Sequence, residues 1–237
     1  MNDIIEQTYR SGYVQDAQGN THEHGPSSIT FDAGALLYHF IRAVKPVKTL
    51  EIGMAYGMST LFICQAHRDN GLGHHTAIDP FQEKTFKSIG LLNVERANLK
   101  DILRFYHAPS DEVLPQLCAN NEHFDFAFID GSHLFDYALV DFFYIDKLLN
   151  IGGHVAFDDL WMPGVRKVAS FVLKNKPYKL VRLPSTRSTW NRILRTGRRI
   201  LQNPLGRDWA LKFVPENLAV FKKTDNDNRD WKSHRAF

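Results

Sequence analysis

Thr49-Leu50-Glu51-Ile52-Gly53-Met54-Ala55-Tyr56-Gly57-Met58-Ser59-Thr60-Leu61-Phe62-Ile63 decides the fold of this chain. Val47 to Ile52 alternates little between apolar and polar residues, as a buried strand does, and carries an acid near its end. Gly53 and Gly57 bracket a turn in which the backbone can pass close to a ligand. Ser59 and Thr60 stand where they would cap the helix carrying Leu61, Phe62 and Ile63. A glycine turn feeding a helix N-terminus is where an open α/β sheet holds a nucleotide-like ligand.

A dinucleotide fingerprint needs G-x-G-x-x-G/A, the second glycine admitting a pyrophosphate and the third packing helix on strand. At that spacing this chain offers Gly53, Ala55 and Met58, so a pyrophosphate is disfavoured and a nicotinamide oxidoreductase is the least favoured reading.

Upstream, Ala33, Leu36, Leu37, Phe40, Ile41 and Val44 recur at helical spacing and Pro46 closes the segment, which predicts a helix covering the sheet. Downstream, His74 to Ile78 is a short strand ending in Asp79, where an acid can accept hydrogen bonds from ribose hydroxyls. Phe86 to Leu99 reads as a helix, Ile102 to Ala108 as a third strand, and Ser110, Asp111 and Glu112 open a further helix with acids in its first turn.

The second strong signal is Phe124 to His133, a buried strand ending in Asp130-Gly131-Ser132-His133. A helix from Phe135 to Leu149 follows, then Asn150-Ile151-Gly152-Gly153, then a strand from His154 closing on Asp158-Asp159. Strand, helix and strand joined this way form a right-handed crossover, so the two strands are parallel and adjacent, about 4.8 Å apart. Asp130 and the Asp158-Asp159 pair then emerge at the same edge as Gly53 and Asp79. Like charges that close raise one another's pKa, which a hard oxygen-seeking cation resolves, Mg²⁺ before Ca²⁺ or Mn²⁺. Consecutive Asp158 and Asp159 point to opposite faces if the strand stays extended, which would leave one of them out of direct contact with a cation.

The acid-x-G-x-A-x-G pattern from Glu51 to Gly57 resembles motif I of the class I S-adenosylmethionine-dependent methyltransferases. Together with Asp79, Asp130, His133 and Asp158-Asp159, it resembles the metal-dependent O-methyltransferases related to catechol O-methyltransferase, and more closely the macrolide sugar O-methyltransferase group. The resemblance covers roughly residues 28 to 172, with Asp130-Gly131-x-His133 its most specific part. Asp159 departs from the Asp-Asn pair of the catechol-type enzymes. It implies cofactor contacts from Glu51, Gly53, Tyr56, Gly57, Ser59, Asp79, His107, Ala108 and Asp130, with Glu51 near the cofactor's ammonium group and the segment after the third strand bordering adenine. It further implies metal ligation by Asp130, Asp158 and Asp159, and a catalytic pair of His133 as general base and Asp130.

The 237 residues fit one α/β domain with a proper core. Cys64 and Cys118 sit in apolar segments and read as reduced core residues, and no run approaches a signal peptide or membrane span, so a cytoplasmic protein is expected. Residues 1–27 read as a polar, turn-rich segment with His22 and His24 in a solvated loop. Residues 28–223 form the single methyltransferase domain, and 224–237 a polar, frayed tail.

The net charge of +3 is modest, yet no Asp or Glu falls between Asp159 and Asp208 while arginines and lysines accumulate there. Tyr178 to Leu183 and Asn217 to Lys222 are expected to pair as a closing antiparallel hairpin, interrupted by a basic insertion at about 185–213. There Trp190, Ile193, Leu194, Ile200 and Leu201 interleave with Arg192, Arg195, Arg198 and Arg199. A lid over the acceptor, a membrane-surface contact, a dock for an anionic substrate, and a helix packed on its own domain all stay open. Nucleic acid is not expected, and a homo-oligomer stays open.

The expected fold is thus α/β, a three-layer Rossmann-like class I methyltransferase fold with a mostly parallel seven-stranded sheet and a C-terminal antiparallel hairpin. The expected function is S-adenosylmethionine-dependent O-methylation of a small-molecule or sugar hydroxyl, assisted by Mg²⁺. Its rivals are a metal-independent small-molecule methyltransferase and a non-catalytic cofactor-binding partner protein of the same fold.

Overall fold

The structure, a computed structural model, describes residues 2–184, 196–197, 209–214 and 217–237. Helix α1 (Asp3–Ser11) is followed by strands β1 (Tyr13–Gln15) and β2 (Thr21–Glu23), which pair as a small antiparallel hairpin. Helix α2 (Phe31–Val44), capped by the Thr30 side chain on Ala33 N–H, leads into β3 (Lys48–Ile52), α3 (Met58–Asn70) and β4 (His74–Ile78). Then come α4 (Ile89–Arg96), β5 (Leu103–Tyr106), α5 (Ser110–Ala119), β6 (Phe124–Ile129) and α6 (Phe135–Leu148). The chain ends with β7 (Leu149–Phe157), α7 (Pro163–Asn175), β8 (Tyr178–Leu180) and β9 (Ala219–Lys223).

The large sheet has seven strands in the order β5-β4-β3-β6-β7-β9-β8. The pairs from β5 to β7 are parallel, and β9 runs antiparallel between β7 and β8. This is the expected sheet with its closing antiparallel pair.

Both faces are covered, so strand residues alternate between two cores. Leu50, Ile52, Ile129, Val155 and Phe157 pack with α5, α6 and α7. Phe126, Phe128, Ala156 and Val220 pack with the helices of the chain's first half, where Leu36, Leu37, Ile41, Leu61 and Phe62 are buried. Each such Leu, Ile or Phe contributes about 1.5–3 kcal/mol by leaving water. Gly34 lets α2 close on α3, since a Cβ there would stand 2.2 Å from the Phe62 ring.

Both termini depart from expectation. Residues 1–27 hold a helix and a hairpin rather than a solvated loop: Ile5 and Val14 are fully or nearly fully buried, and His22 Nε2 lies 3.0 Å from Asp16 Oδ2. Residues 224–237 are docked rather than frayed. Asp227 pairs with Lys176 and Arg229, Asn175 and Arg235 exchange hydrogen bonds of 2.9 and 2.7 Å, and Phe237 sits edge-on to Phe171. Lys176 Nζ also reaches Asp146 of α6 at 2.6 Å, so the tail is tied to the core through a shared, largely buried charge.

Among the apolar-helix and strand expectations, the boundaries shrink by a few residues: α4 starts at Ile89, after consecutive left-handed residues Lys87 and Ser88, and β8 stops at Leu180. The basic residues from Trp190 to Leu201 lie outside the described residues. Among the described residues no helix is long and apolar enough to cross a membrane.

Gly53, with φ +87°, closes on backbone rather than on a side chain: a Cβ there would stand 2.2 Å from the carbonyl oxygen of Asp130. Gly53→Ala should therefore cost more than about 3 kcal/mol, from left-handed strain plus displacement of backbone. Gly71→Ala, at φ +67° in open space, should cost only about 1–2 kcal/mol. Chemical denaturation of the two variants checks the contrast.

Candidate active site

The glycine turn is held from outside by the segment that follows β4. Asp79, buried at the tip of that strand, accepts from the backbone N–H of Met54 at 3.0 Å and Ala55 at 2.8 Å through Oδ2, and from Phe81 N–H at 2.7 Å through Oδ1. Gln82 donates to the Ala55 carbonyl at 2.6 Å, and Asn93 to the Tyr56 carbonyl at 3.0 Å. Gly90 packs so close that a Cβ there would meet the Ala55 carbonyl at 2.6 Å. The turn's amides are thus engaged by Asp79, which removes the donors a pyrophosphate would need.

Helix α3 starts at Gly57 in the left-handed conformation with no side-chain cap. Ser59 and Thr60 are therefore inside its first turn rather than capping it. Thr60 instead donates to Glu51 Oε2 at 2.5 Å. Glu51 is fully buried, also meets His75 Nε2 at 3.0 Å, and has no hydrogen-bond partner at Oε1.

His107, at the end of β5, is exposed and turned to the Pro80 carbonyl at 3.1 Å and to Glu83 at 3.4 Å, where it closes the neighbouring loop. Ser110, two residues beyond Ala108, donates to Asp141 Oδ1 at 2.6 Å. Asp141 is a residue the sequence analysis does not single out. It is buried on α6, and burial pushes its carboxyl up to about 6. The signal was an acid at the second position of the buried series Ala138, Asp141, Phe142, Ile145, where a helix buries its stripe.

Asp130, His133 and Asp159 converge at the carboxyl edge beside Gly53. Each offers one ligand atom, all within 4.8 Å of one another. His133 Nε2 lies 3.0 Å from Asp159 Oδ2 and 3.6 Å from Asp130 Oδ1, yet neither contact is aligned as a hydrogen bond. Asp159 is held in a left-handed conformation (φ 51°), and Trp161 Nε1 donates to its Oδ1 at 2.8 Å. The sequence reading takes Asp158 as a ligand beside Asp159, but Asp158 is not in this group. The pleat explains it: Ala156 belongs to the core of the first-half helices, Asp158 follows at the same phase, and its charge is felt at the Tyr9 hydroxyl of α1.

Charge in this cluster is poorly balanced. Burial first, then Asp159, pushes Asp130 up to about 6, against the pull of His133. Burial, then Asp130 and Asp159, pushes Asp158 well above the usual carboxylate range. Asp159 resists burial and is held low by His133 and Trp161. Asp130 and then Asp159 lift His133 to about 10, so it carries a proton at neutral pH in this structure. Two converging carboxylates, with the Asp158 charge behind them and one misaligned imidazole nitrogen, are chemistry a hard divalent cation fits.

The N-terminal segment adds residues that sequence reasoning missed. Tyr9 donates to the Ile29 carbonyl and packs edge-on to His24, while His24 Nδ1 and Ser28 Oγ are buried without hydrogen-bond partners. Their polar context hid them, because burial here comes from α1 folding back on α3.

This sheet order, with a glycine turn after its central strand, resembles the Rossmann-like fold of solved O-methyltransferases. Residues 50–160 match the family described as Methyltransferase domain. The chain is similar to O-methyltransferases in sequence and in fold. It is 30% identical over 148 residues to caffeoyl-CoA O-methyltransferase of Populus kitakamiensis, a match spanning 59% of this chain and 58% of that one. The chain thus spans little more than half the length of the curated relatives it matches. In fold it is similar to O-methyltransferase TomG from Streptomyces achromogenes in complex with S-adenosylmethionine (TM-score 0.64, 16% identity, 95% of this chain and 91% of that one). It is similar too to the O-methyltransferase of Bacillus cereus in complex with S-adenosylhomocysteine (TM-score 0.59, 21% identity, 76% and 83%).

Cation binding at the cluster must compete with a proton on Asp130. As pH falls through about 6 that proton is taken up, so affinity for Mg²⁺ or Mn²⁺ should drop between pH 8 and pH 5. Calorimetric titration at the two pH values measures the drop, and Asp159→Asn should weaken binding at both.

Proposed function

We propose that this protein is an S-adenosylmethionine-dependent O-methyltransferase that uses a divalent cation, most suitably Mg²⁺, and acts on a hydroxyl carried by a ring. The observation that carries the reading is the convergence of Asp130, His133 and Asp159 beside the glycine turn. A scaffold that only binds a cofactor has no need of an unbalanced acid cluster.

The cofactor supplies a methyl group already activated by its sulfonium charge, and a divalent cation supplies positive charge beside the acceptor oxygen. The chain's own part is positioning and proton handling. Asp130 and Asp159, with Asp158 close behind, would hold the cation. His133 is kept protonated by the same carboxylates. Once they have another counter-charge, its imidazole is suited to take the acceptor hydroxyl's proton. Gly53, Tyr56, Gly57 and Ser59 would border the cofactor at the glycine turn, Ala108 and Ser110 would border its far end, and the Glu51 charge would favour its ammonium group. Asp79 serves the cofactor by shaping the turn.

Trp161 is 59% exposed beside the cluster, with its indole fixed by Asp159, and Leu134 is 62% exposed. An apolar plate there suits the face of an aromatic or sugar ring. The caffeoyl-CoA relatives, by their names, act on a substrate with an aromatic ring. The basic segment 185–213 would meet an anionic group on the acceptor or a membrane surface.

The test is methyl transfer from S-adenosylmethionine to a panel of catechols, caffeoyl thioesters and glycosides, with Mg²⁺ and with chelator. His133→Gln should lower kcat about 10²–10⁴-fold, the ordinary worth of a general base. Its affinity for S-adenosylhomocysteine should stay within about threefold of the unsubstituted chain. Transfer that ignores chelator would replace this reading with a metal-independent one, and tight cofactor binding without turnover on any acceptor would favour a partner protein.

A further inference from the structure

The strand that ends in the acid pair changes direction at the second acid. Asp158 N–H makes the last contact with the neighbouring strand, to the Ile129 carbonyl at 3.3 Å, and Asp159 then takes the left-handed conformation. Three contacts hold the turn from there. Leu160 N–H donates to the Asn217 carbonyl at 3.1 Å, Met162 N–H to the Asp159 carbonyl at 2.8 Å, and Trp161 Nε1–H to Asp159 Oδ1 at 2.8 Å. Helix α7 starts directly afterwards, and Gly164 in its first turn lies so close to the loop before α6 that a Cβ there would stand 2.6 Å from the His133 carbonyl. The turn is therefore wedged against the segment that carries His133.

The two oxygens of Asp159 have different surroundings. Oδ1 is engaged by the indole, whereas Oδ2 lies 3.0 Å from His133 Nε2, on the side of the cluster. Trp161 is exposed, so burial of its ring does little to hold it there, and the bond to Asp159 fixes which way the carboxylate faces. A carboxylate can meet a cation through one oxygen or through both. Ca²⁺, large and tolerant of irregular coordination, accepts the two-oxygen mode, while Mg²⁺ is small and demands a near-ideal octahedron that a two-oxygen carboxylate distorts.

We infer that Trp161 is the positioning residue that sets cation specificity: by occupying Oδ1 it leaves Asp159 one oxygen for a cation, Oδ2, and so favours Mg²⁺ over Ca²⁺. The inference rests on the divalent-cation reading and adds to it the residue that selects among cations. It also gives the departure from an Asp-Asn pair a consequence. An asparagine has one side-chain oxygen to offer; here the indole restricts an aspartate to one while its negative charge is kept.

The experiment separates the indole's N–H from its ring. Trp161→Phe keeps a ring and removes the donor, whereas Trp161→Gln removes the ring and keeps an N–H the same number of bonds from Cβ. Calorimetric titrations with Mg²⁺ and with Ca²⁺ at pH 8, S-adenosylhomocysteine present, give the ratio of the two affinities for each protein. Trp161→Phe should shift that ratio towards Ca²⁺ by about tenfold or more, the ordinary effect of removing the partner of a metal ligand. Trp161→Gln should hold it within about threefold of the unsubstituted protein. A role in packing alone would rank the variants the other way or weaken both cations equally. A ratio unchanged in Trp161→Phe, or shifted alike in both variants, overturns the assignment. An unsubstituted protein that binds neither cation overturns the divalent-cation reading itself, a different result from binding whose selectivity ignores Trp161. Should a variant misfold, the indole ¹⁵N–H resonance of Trp161 in the unsubstituted protein decides: it should move as Mg²⁺ saturates the site, and a resonance that stays in place overturns the assignment.

Discussion

The close approach of Gly53 to the Asp130 carbonyl is the constraint on which the site depends. Strands β3 and β6 are neighbours, and Asp130 N–H donates to the Ile52 carbonyl at 2.9 Å, so the glycine turn and the first acid of the cluster share one backbone contact. Only a residue without a Cβ tolerates it. The spacing between cofactor turn and acid cluster is therefore fixed by the sheet itself, not by flexible side chains. Reactions that require a methyl group and an oxygen to meet in line gain most from such a rigid reference.

Around this joint the protein holds two kinds of charge. At the strand edge, acids outnumber cations and His133 is held protonated as a makeshift counter-ion. One layer deeper, the Glu51 carboxylate lies 3.0 Å from His75 Nε2 with neither side chain exposed. The first arrangement is unfinished and invites an ion from outside. The second is closed except at a single carboxylate oxygen.

How legible this was in the sequence differs by element. The seven-stranded sheet and the order of its acids could be read from glycine turns and apolar runs, because strand register is imposed by local pattern. Gly53, Asp130, His133 and Asp159 followed from strand ends. What could not be read was partnership across sequence: Asp79 spends its oxygens on the turn's amides, and Ser110 on Asp141. Thr60 bonds Glu51 instead of capping α3. The N-terminal segment was misjudged because polar composition was taken for exposure, whereas Ile5 is fully buried; the C-terminal tail is exposed as its composition suggests, yet tied down at Asp227, Arg235 and Phe237.

The antiparallel pair β8–β9 has an implication for how such a domain diversifies. Val181 N–H donates to the Val220 carbonyl at 2.8 Å, so the chain leaves and re-enters the sheet at adjacent points after a long excursion. Its two ends are already joined, and within it Leu211 and Val214 are buried in the core shared with α5, α6 and α7. Doubling its length adds only about 0.6 kcal/mol of closure entropy. A change of length there is therefore cheap in chain entropy and leaves the register between β8 and β9 as it is.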